Sequence, residues 1–125
     1  MYWTAWSTLA ALLVYSWTIF NVGRARGKYG IAAPAMDGPV QFQSILRVQA
    51  NTLEQLALHL PALWLCAAAL NDEWAAIGGA VWVVGRIVYA LGYYKDPKRR
   101  GAGFMIALLA TITLMVGAAS GLIQS

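Results

Sequence analysis

Long stretches of the chain contain almost no charge, and this feature restricts the possible fold more than any other. Residues 3–23 and 101–125 have no charged side chain, and residues 74–94 have only Arg86. At about 1.5 Å per residue, a helix of about 20 residues crosses the roughly 30 Å hydrocarbon core of a bilayer. The chain is also 60% hydrophobic and 11% charged, whereas a soluble domain is about 45–50% apolar and about 25% charged. We therefore predict membrane-spanning helices and exclude a soluble enzyme.

One further apolar segment, residues 41–70, carries polar side chains in its first half and Pro61 later, which a membrane helix tolerates as a kink. With this segment the prediction is an all-α integral membrane four-helix bundle, formed as a single domain over residues 1–125. The spans are predicted at about 3–23, 41–70, 74–94 and 101–123. The one substantial loop is predicted over residues 24–40, which contain five helix-breaking residues: Gly27, Gly30, Pro34, Gly38 and Pro39.

The basic residues that lie outside the predicted spans are confined to one end of the bundle. Three follow the first span and four surround the turn after the third: Arg24, Arg26, Lys28, Lys95, Lys98, Arg99 and Arg100. Because loops rich in lysine and arginine stay cytoplasmic, we expect the first and third loops in the cytoplasm and both termini on the non-cytoplasmic side. The compact loops fit a bacterial inner membrane, with the endoplasmic reticulum as the alternative. The net charge of +4 forms no continuous stripe, so no nucleic-acid partner is expected.

Ionisable side chains at membrane depth are costly and mark candidate functional sites. On the second span, Arg47, Asn51 and Glu54 fall within an arc of about 60°, because successive helical residues turn by about 100°. Asn51 lies about 12 Å and Glu54 about 16 Å from the predicted cytoplasmic end. Arg86 on the third span lies at about 12 Å as well. Glu54 and Arg86 could therefore meet, either as a structural ion pair or as parts of a pocket.

The third span presents a basic and aromatic face to this polar one. Arg86, Tyr89 and Tyr93 recur at spacings of three and four residues, so they lie on one side of a helix. A guanidinium group binds carboxylates in bidentate geometry, and tyrosines add hydroxyl groups to the wall. The two faces, with Arg99 and Arg100 in the neighbouring turn, predict a pocket for a small anionic or zwitterionic ligand that opens toward the cytoplasm.

The polar residues form a pattern that runs from the second span to the turn before the fourth: Arg47-x-x-x-Asn51-x-x-Glu54, Leu60-Pro61, Gly85-Arg86-x-x-Tyr89-x-x-x-Tyr93, and a turn with Pro97, Arg99 and Arg100. This combination resembles the MAPEG family, the membrane-associated proteins in eicosanoid and glutathione metabolism. The length, the four spans and the long first loop are similar as well. The resemblance implies a homotrimer that binds glutathione, as a co-substrate, between neighbouring subunits.

The resemblance also implies roles for individual residues. Six are expected to bind glutathione: Arg47, Asn51, Glu54, Arg86, Tyr89 and Tyr93. The catalytic residue would be an arginine beside the sulfur, either Arg99 or Arg100. The spacing from Pro97 favours Arg99, whereas the arginine-glycine junction before the fourth span favours Arg100, which we prefer. A cation next to a thiol lowers its pKa and makes the thiolate available as a nucleophile.

The function expected from the resemblance is a membrane-bound glutathione S-transferase or peroxidase. It would conjugate the thiolate to lipophilic electrophiles or reduce lipid hydroperoxides, with membrane lipid supplying the hydrophobic partner. The alternative is a non-catalytic lipid-binding or interaction protein on the same fold. A small drug/proton exchanger ranks last, because such exchangers carry an acidic residue in the first span and residues 3–23 contain none.

The remaining reactive side chains are interpreted as structural. His59 lies about 110° from the centre of the polar face of the second span, which favours packing over ligand binding. Cys66 has no basic neighbour in sequence and is read as a packing residue. One histidine and one cysteine in different helical turns do not build a metal site, so no metal is expected. Gly117 and Gly121 predict a close helix contact on the fourth span.

Overall fold

The computed structural model describes all residues from Met1 to Ser125. It contains four α-helices: α1 (Tyr2–Tyr29), α2 (Val40–Ala69), α3 (Asp72–Lys95) and α4 (Gly101–Gln124), with a short 3₁₀ turn (Pro97–Arg99) before α4. The predicted all-α four-helix fold is confirmed, and each predicted span falls on one helix. By length and composition α1, α3 and the segment Pro97–Gln124 can cross a membrane. Helix α2 is the longest, at 30 residues, and carries four of the nine buried polar side chains: Ser44, Asn51, Thr52 and His59.

Helix α1 is longer than the sequence predicts. It continues to Tyr29, so the prediction of a loop is wrong for residues 24–29. Arg26 and Lys28 occupy the last turn, where positive charge interacts favourably with the helix dipole. Arg26 also holds the following loop in place, because its Nη1 atom donates to the carbonyl oxygen of Ala35 at 2.8 Å. The helix ends at Gly30, whose φ of 66° is the left-handed conformation that commonly terminates helices.

Helices α3 and α4 approach each other closely through glycine. A side-chain carbon added at Gly103 would overlap the backbone of Tyr89 and the carbonyl oxygen of Gly85. The other half of α4 packs in the same way on the end of α2, since a side chain at Gly121 would overlap the backbone of Ala69. The close contact predicted for this part of α4 is therefore present. These contacts fix α4 against both neighbours.

A buried polar pair crosses the centre of the bundle. The ring of His59 on α2 stacks on Trp82 of α3, with centroids 4.2 Å apart and an interplanar angle of 4°. Its Nδ1 atom lies 3.3 Å from the hydroxyl of Thr111 on α4. Both His59 and Trp82 are fully buried. The interpretation of His59 as a packing residue is confirmed, as is that of Cys66, which is buried among apolar residues of α2, α3 and α4.

The end of the bundle that holds the chain termini is closed by a carboxylate from α3. Asp72 accepts hydrogen bonds from the backbone N–H groups of Trp3 and Thr4 at 3.0 and 2.9 Å, and from the Thr4 hydroxyl at 2.6 Å. Helix α1 has no side-chain cap of its own at Met1, so Asp72 satisfies N–H groups that would otherwise lack partners. The polar cavity described below lies toward the opposite end.

Candidate functional site

Arg86 is the innermost charged residue of the structure, with 1% of its surface exposed. Its Nη2 atom donates to the side-chain oxygen of Asn51 at 3.0 Å and to the hydroxyl of Thr52 at 2.8 Å, both on α2. Its guanidinium carbon lies 4.0 Å from the ring centroid of Tyr89, one turn further along α3. The Nε and Nη1 atoms have no partner. The charge is thus accommodated by neutral acceptors and an aromatic face.

Glu54 does not pair with Arg86, so the predicted meeting of these two residues is wrong. Its carboxylate accepts from the Asn51 amide at 3.2 Å and lies 3.5 Å from the Nη2 atom of Arg47. Glu54 and Arg47 are each more than half exposed. Asn51 and Arg86, predicted at the same depth, do meet, whereas the Glu54 side chain contacts residues of α2 and none of α3. Asn51 therefore stands between the buried cation and the exposed ion pair.

Above Arg86 lies a cavity of about 500 Å³ between α2, α3 and α4. It is lined by Arg47, Asn51, Tyr89, Tyr93, Arg100, Gly101, Phe104 and Met105. The structure thus brings together four of the six residues expected to bind a ligand, and one of the two candidate arginines. Glu54 and Arg86 do not line this cavity, and each contacts it through Asn51. Its size is within the range of small-molecule sites in proteins.

The two candidate arginines are neighbours at the end of the turn that precedes α4, but only one of them lines the cavity. Arg100 lines the cavity, and its guanidinium carbon lies 5.8 Å from the ring centroid of Tyr93. Its Nη1 atom donates to the carbonyl oxygen of Pro97 at 2.8 Å, which orients the side chain. Arg99 ends the 3₁₀ turn and is exposed, outside the lining of the cavity. The backbone of Arg99 instead packs next to Gly92 of α3.

A second cavity of about 510 Å³ adjoins the first and shares Arg47 and Tyr93 with it. It lies under the loop between α1 and α2, whose residues Met36 and Asp37 form part of its wall. Because the same two side chains line both spaces, a ligand in the first cavity would reach the loop by passing Arg47 and Tyr93. The site therefore opens at the end of the bundle that carries the basic turns.

The structure adds three residues that sequence reasoning missed. Thr52 is an acceptor for Arg86, and Phe104 and Met105 form the apolar wall on α4. Thr52 lies about 100° from Asn51 on the helix and so off the polar face that the spacing selects. The only sequence feature that points to Thr52 as part of the site is its position next to the motif residue Asn51. Phe104 and Met105 belong to an apolar run that carries no marker of function.

Positive charge exceeds negative charge around the site. Arg47, Arg86 and Arg100 surround or underlie the cavity, and Glu54 is the one carboxylate in the network. Glu54 is engaged by Arg47, which leaves Arg86 and Arg100 without an acidic partner. Guanidinium groups in a partly dry site favour ligands with carboxylate, phosphate or thiolate groups.

These features define an integral membrane four-helix bundle with a cationic, tyrosine-lined cavity near one end of its helices. Residues 4–120 match the MAPEG family. The chain belongs to the MAPEG family, as the pattern of its polar residues predicts.

Several relatives cover most of the chain. It is 50% identical over 116 residues to an uncharacterized protein of Synechocystis sp., in an alignment that covers 93% of this chain and 85% of the relative. It is 35% identical over 109 residues to microsomal glutathione S-transferase 2 of Mus musculus, covering 84% of this chain and 74% of the relative. It is 30% identical over 116 residues to leukotriene C4 synthase of Bos taurus, covering 93% and 77% respectively. Glutathione-related activity is thus found among its relatives.

Proposed function

We propose that this protein is a membrane-bound glutathione S-transferase. It binds glutathione in the cavity between α2, α3 and α4 and transfers the sulfur to a lipophilic electrophile. The observation that carries the proposal is the convergence of Arg47, Asn51, Tyr89, Tyr93 and Arg100 on one cavity of about 500 Å³. Two of the relatives reported above, a glutathione S-transferase and a leukotriene synthase, support the same chemistry.

The chemistry of glutathione suits this set of side chains. The tripeptide carries two carboxylates, one ammonium group and one thiol. Arg47 at the rim offers a charge-assisted bond to a carboxylate, and Glu54, beside it, offers an acceptor for the ammonium group. Asn51 and the hydroxyls of Tyr89 and Tyr93 offer neutral donors and acceptors. Arg86 adds positive potential from beneath and holds Asn51 in place.

Arg100 is the residue we assign to the thiol. Its guanidinium group lines the cavity without an acidic partner, so it is free to stabilise a negative sulfur. The cation lowers the pKa of the glutathione thiol, and the proton leaves to solvent. The thiolate then attacks an electrophilic carbon, the new carbon–sulfur bond forms, and the leaving group departs with its electron pair. Arg99 does not reach the sulfur in this proposal.

A peroxidase activity would use the same thiolate. It attacks the terminal oxygen of a lipid hydroperoxide, so that the O–O bond breaks, the oxygen stays on sulfur as a glutathione sulfenic acid, and the lipid leaves as an alkoxide that is protonated to the alcohol. A second glutathione then forms the disulfide and releases water. Phe104 and the exposed Met105 on α4 provide the apolar wall along which a hydrophobic substrate enters from the bilayer.

The assembly and orientation of the protein are part of the proposal. We propose a homotrimer with glutathione at the subunit boundaries, residues 1–125 forming one domain, and the first and third loops facing the cytoplasm of a bacterium. Native mass spectrometry of the protein in mild detergent tests the trimer, with a dimer or monomer as the contradicting result.

Labelling of single cysteines introduced at Lys28 and Ser125, in a Cys66→Ala background, tests the orientation in intact cells.

A lipid-binding protein without catalysis is the second candidate, and one feature favours it. An apolar groove of about 820 Å³ runs between α2, α3 and α4 toward the opposite end of the bundle, lined by residues such as Trp74, Ile77 and Leu109. Such a groove accepts an acyl chain and needs no reactive group. It contains none of the residues of the cationic cavity.

Calorimetry with glutathione and a turnover assay with chlorodinitrobenzene distinguish the two functions. The transferase proposal predicts saturable glutathione binding, conjugation that depends on glutathione, and loss of both in Asn51→Ala. Binding of fatty acids or phospholipids without glutathione binding would overturn the transferase in favour of the lipid-binding protein. Lys98→Ala, an exposed change outside the cavity, serves as the control and keeps wild-type turnover.

A further inference from the structure

A separate cavity of about 400 Å³ lies between α1, α2 and α3 at the end of the bundle that carries the basic turns. Its lining includes Arg24 and Lys28 at the rim, and Trp17, Asn21, Ile45 and Tyr94 toward the membrane interior. It shares no residue with the proposed glutathione cavity or with the space beneath the first loop. The function proposed above gives this cavity no role.

The rim of the cavity carries two positive charges that no acid neutralises. Arg24 and Lys28 are both exposed, and neither takes part in an ion pair. Their cationic groups lie only over aromatic rings, Arg24 at 5.9 Å from the centroid of Phe20 and Lys28 at 5.3 Å from that of Tyr29. Like charges four residues apart on a helix repel each other. An anion between them would relieve this repulsion.

Not every basic residue of this segment is available to a ligand, because Arg26 is already engaged by the protein. It lies between the other two in sequence but points to the loop, where it donates to Ala35 and lies 5.5 Å from the Phe42 ring centroid. Arg24 and Lys28 make no such bond to the protein. The pair that lines the cavity is therefore the pair that remains available.

The inner part of the cavity is mainly aromatic and aliphatic, and contacts within the protein hold it in place. Trp17 and Tyr94 meet edge to face, with centroids 6.0 Å apart. The Tyr94 hydroxyl accepts a hydrogen bond from the Asn21 amide at 3.1 Å, which fixes α1 against α3. Along α1, the distance from Trp17 to Lys28 is roughly 16 Å at 1.5 Å per residue. The cavity thus changes from aromatic to cationic over the depth of a lipid headgroup and the first part of its acyl chain.

We propose that this cavity binds an anionic glycerophospholipid, with its phosphate between Arg24 and Lys28 and its upper acyl chain against Trp17 and Ile45. Basic pockets between transmembrane helices on the cytoplasmic side are suited to such headgroups. Aromatic residues at this level match the boundary between headgroups and hydrocarbon. The lipid would hold α1 against α2 and α3 at the end of the bundle where the glutathione cavity opens.

Native mass spectrometry of the full chain, titrated with phosphatidylglycerol or phosphatidylcholine, tests the proposal. We expect tighter retention of phosphatidylglycerol, and a roughly tenfold or greater loss of that retention in the double variant Arg24→Ala/Lys28→Ala. Arg24→Lys keeps the charge and should keep most of the retention. Trp17→Ala removes an aromatic ring from the cavity without changing its charge, and it should also weaken the retention of phosphatidylglycerol. This variant keeps the test decisive if the double variant fails to fold.

The matched control is Lys95→Ala/Lys98→Ala, which removes two exposed charges from the same end of the bundle but outside the cavity. An equal loss in this control would overturn the site in favour of diffuse attraction between the protein and anionic lipid. Equal retention of phosphatidylglycerol and phosphatidylcholine by the wild type would overturn the proposal that the site selects an anionic headgroup. Inorganic phosphate that displaces the lipid at equal concentration would overturn the lipid and leave a site for free phosphate.

Discussion

The Nη2 atom of Arg86 lies 3.0 Å from the side-chain oxygen of Asn51, and this bond joins the buried centre of α3 to the wall of the cavity on α2. The buried guanidinium has no carboxylate beside it. An amide, a hydroxyl and the face of Tyr89 hold it instead. Its charge is therefore not cancelled locally and adds to the positive potential of the cavity above it. The same bond orients the asparagine that the ligand would meet.

The two acceptors of Arg86 can be separated by mutation. Thr52→Val removes the hydroxyl acceptor at 2.8 Å while keeping side-chain volume, and Thr52 does not line the cavity. We expect it to lower the free energy of unfolding in detergent by about 1 kcal/mol, since one hydrogen bond in a membrane protein contributes about that much. Glutathione affinity, measured by calorimetry, should change by less than about threefold.

Asn51→Ala removes both an acceptor of Arg86 and a wall of the cavity. We expect a similar loss of stability, together with a loss of glutathione affinity of roughly tenfold or more, because a lost bond to a charged group costs about 1.5–3 kcal/mol. Calorimetry on both variants under the same conditions makes the comparison. If Thr52→Val weakens glutathione binding as much as Asn51→Ala does, Asn51 acts only through Arg86 and does not contact the ligand.

The stacked pair of His59 and Trp82 predicts a stability effect without a direct effect on chemistry. His59→Ala leaves a void in a fully buried position and should lower the free energy of unfolding by about 2–4 kcal/mol. His59→Phe keeps the stacked ring and should cost less than half as much. Thermal unfolding in detergent measures both, and turnover per folded molecule should stay near wild type because His59 lines neither cavity of the site. Equal destabilisation by both changes would assign the stability to the contact with Thr111 instead.

The contact of Gly103 with α3 links helix packing to the cavity. Gly103→Ala places a carbon against the backbone of Tyr89, so α4 must move away from α3 where Tyr89 and Phe104 line the cavity. We expect lower thermal stability and weaker glutathione binding, both measured on the purified protein.

Gly27→Ala is the matched control for this change, because nothing lies within 4 Å of the added carbon. It should leave binding unchanged and raise the free energy of unfolding by about 0.5–1 kcal/mol, since alanine favours a helix over glycine. Wild-type binding in Gly103→Ala would show that the cavity tolerates separation of α3 and α4.

The sequence predicts the fold well because the physics that decides it is local. Uncharged runs long enough to cross a bilayer specify the helices, and the spacing of Arg47 and Asn51 on α2 and of Tyr89 and Tyr93 on α3 places these four side chains around one cavity. The prediction for the end of α1 is wrong because glycine and basic residues are typical of both loops and helix C-termini. The bond between Arg26 and Ala35, which favours the helix, joins residues whose contact depends on the folded loop.

The details of the site depend on side-chain direction, which helical spacing does not specify. Periodicity gives the height and face of Glu54 and Arg86 but not which way a long side chain turns, and each finds a nearer partner on α2. The choice between Arg99 and Arg100 similarly depends on the short turn Pro97–Arg99: both arginines are exposed, but only Arg100 lines the cavity. Two arginines next to each other in sequence can thus point in different directions although their side chains are chemically identical.

We propose that Arg100 activates the thiol of glutathione in the cavity. The most direct test is the ultraviolet difference spectrum in the thiolate band when glutathione is added to the purified protein, compared with Arg100→Ala and Arg99→Ala. We predict a thiolate signal at neutral pH in the wild type and in Arg99→Ala, and its loss in Arg100→Ala with glutathione still bound by calorimetry. A thiolate signal that persists in Arg100→Ala, or no signal in the wild type at saturating glutathione, would contradict the claim.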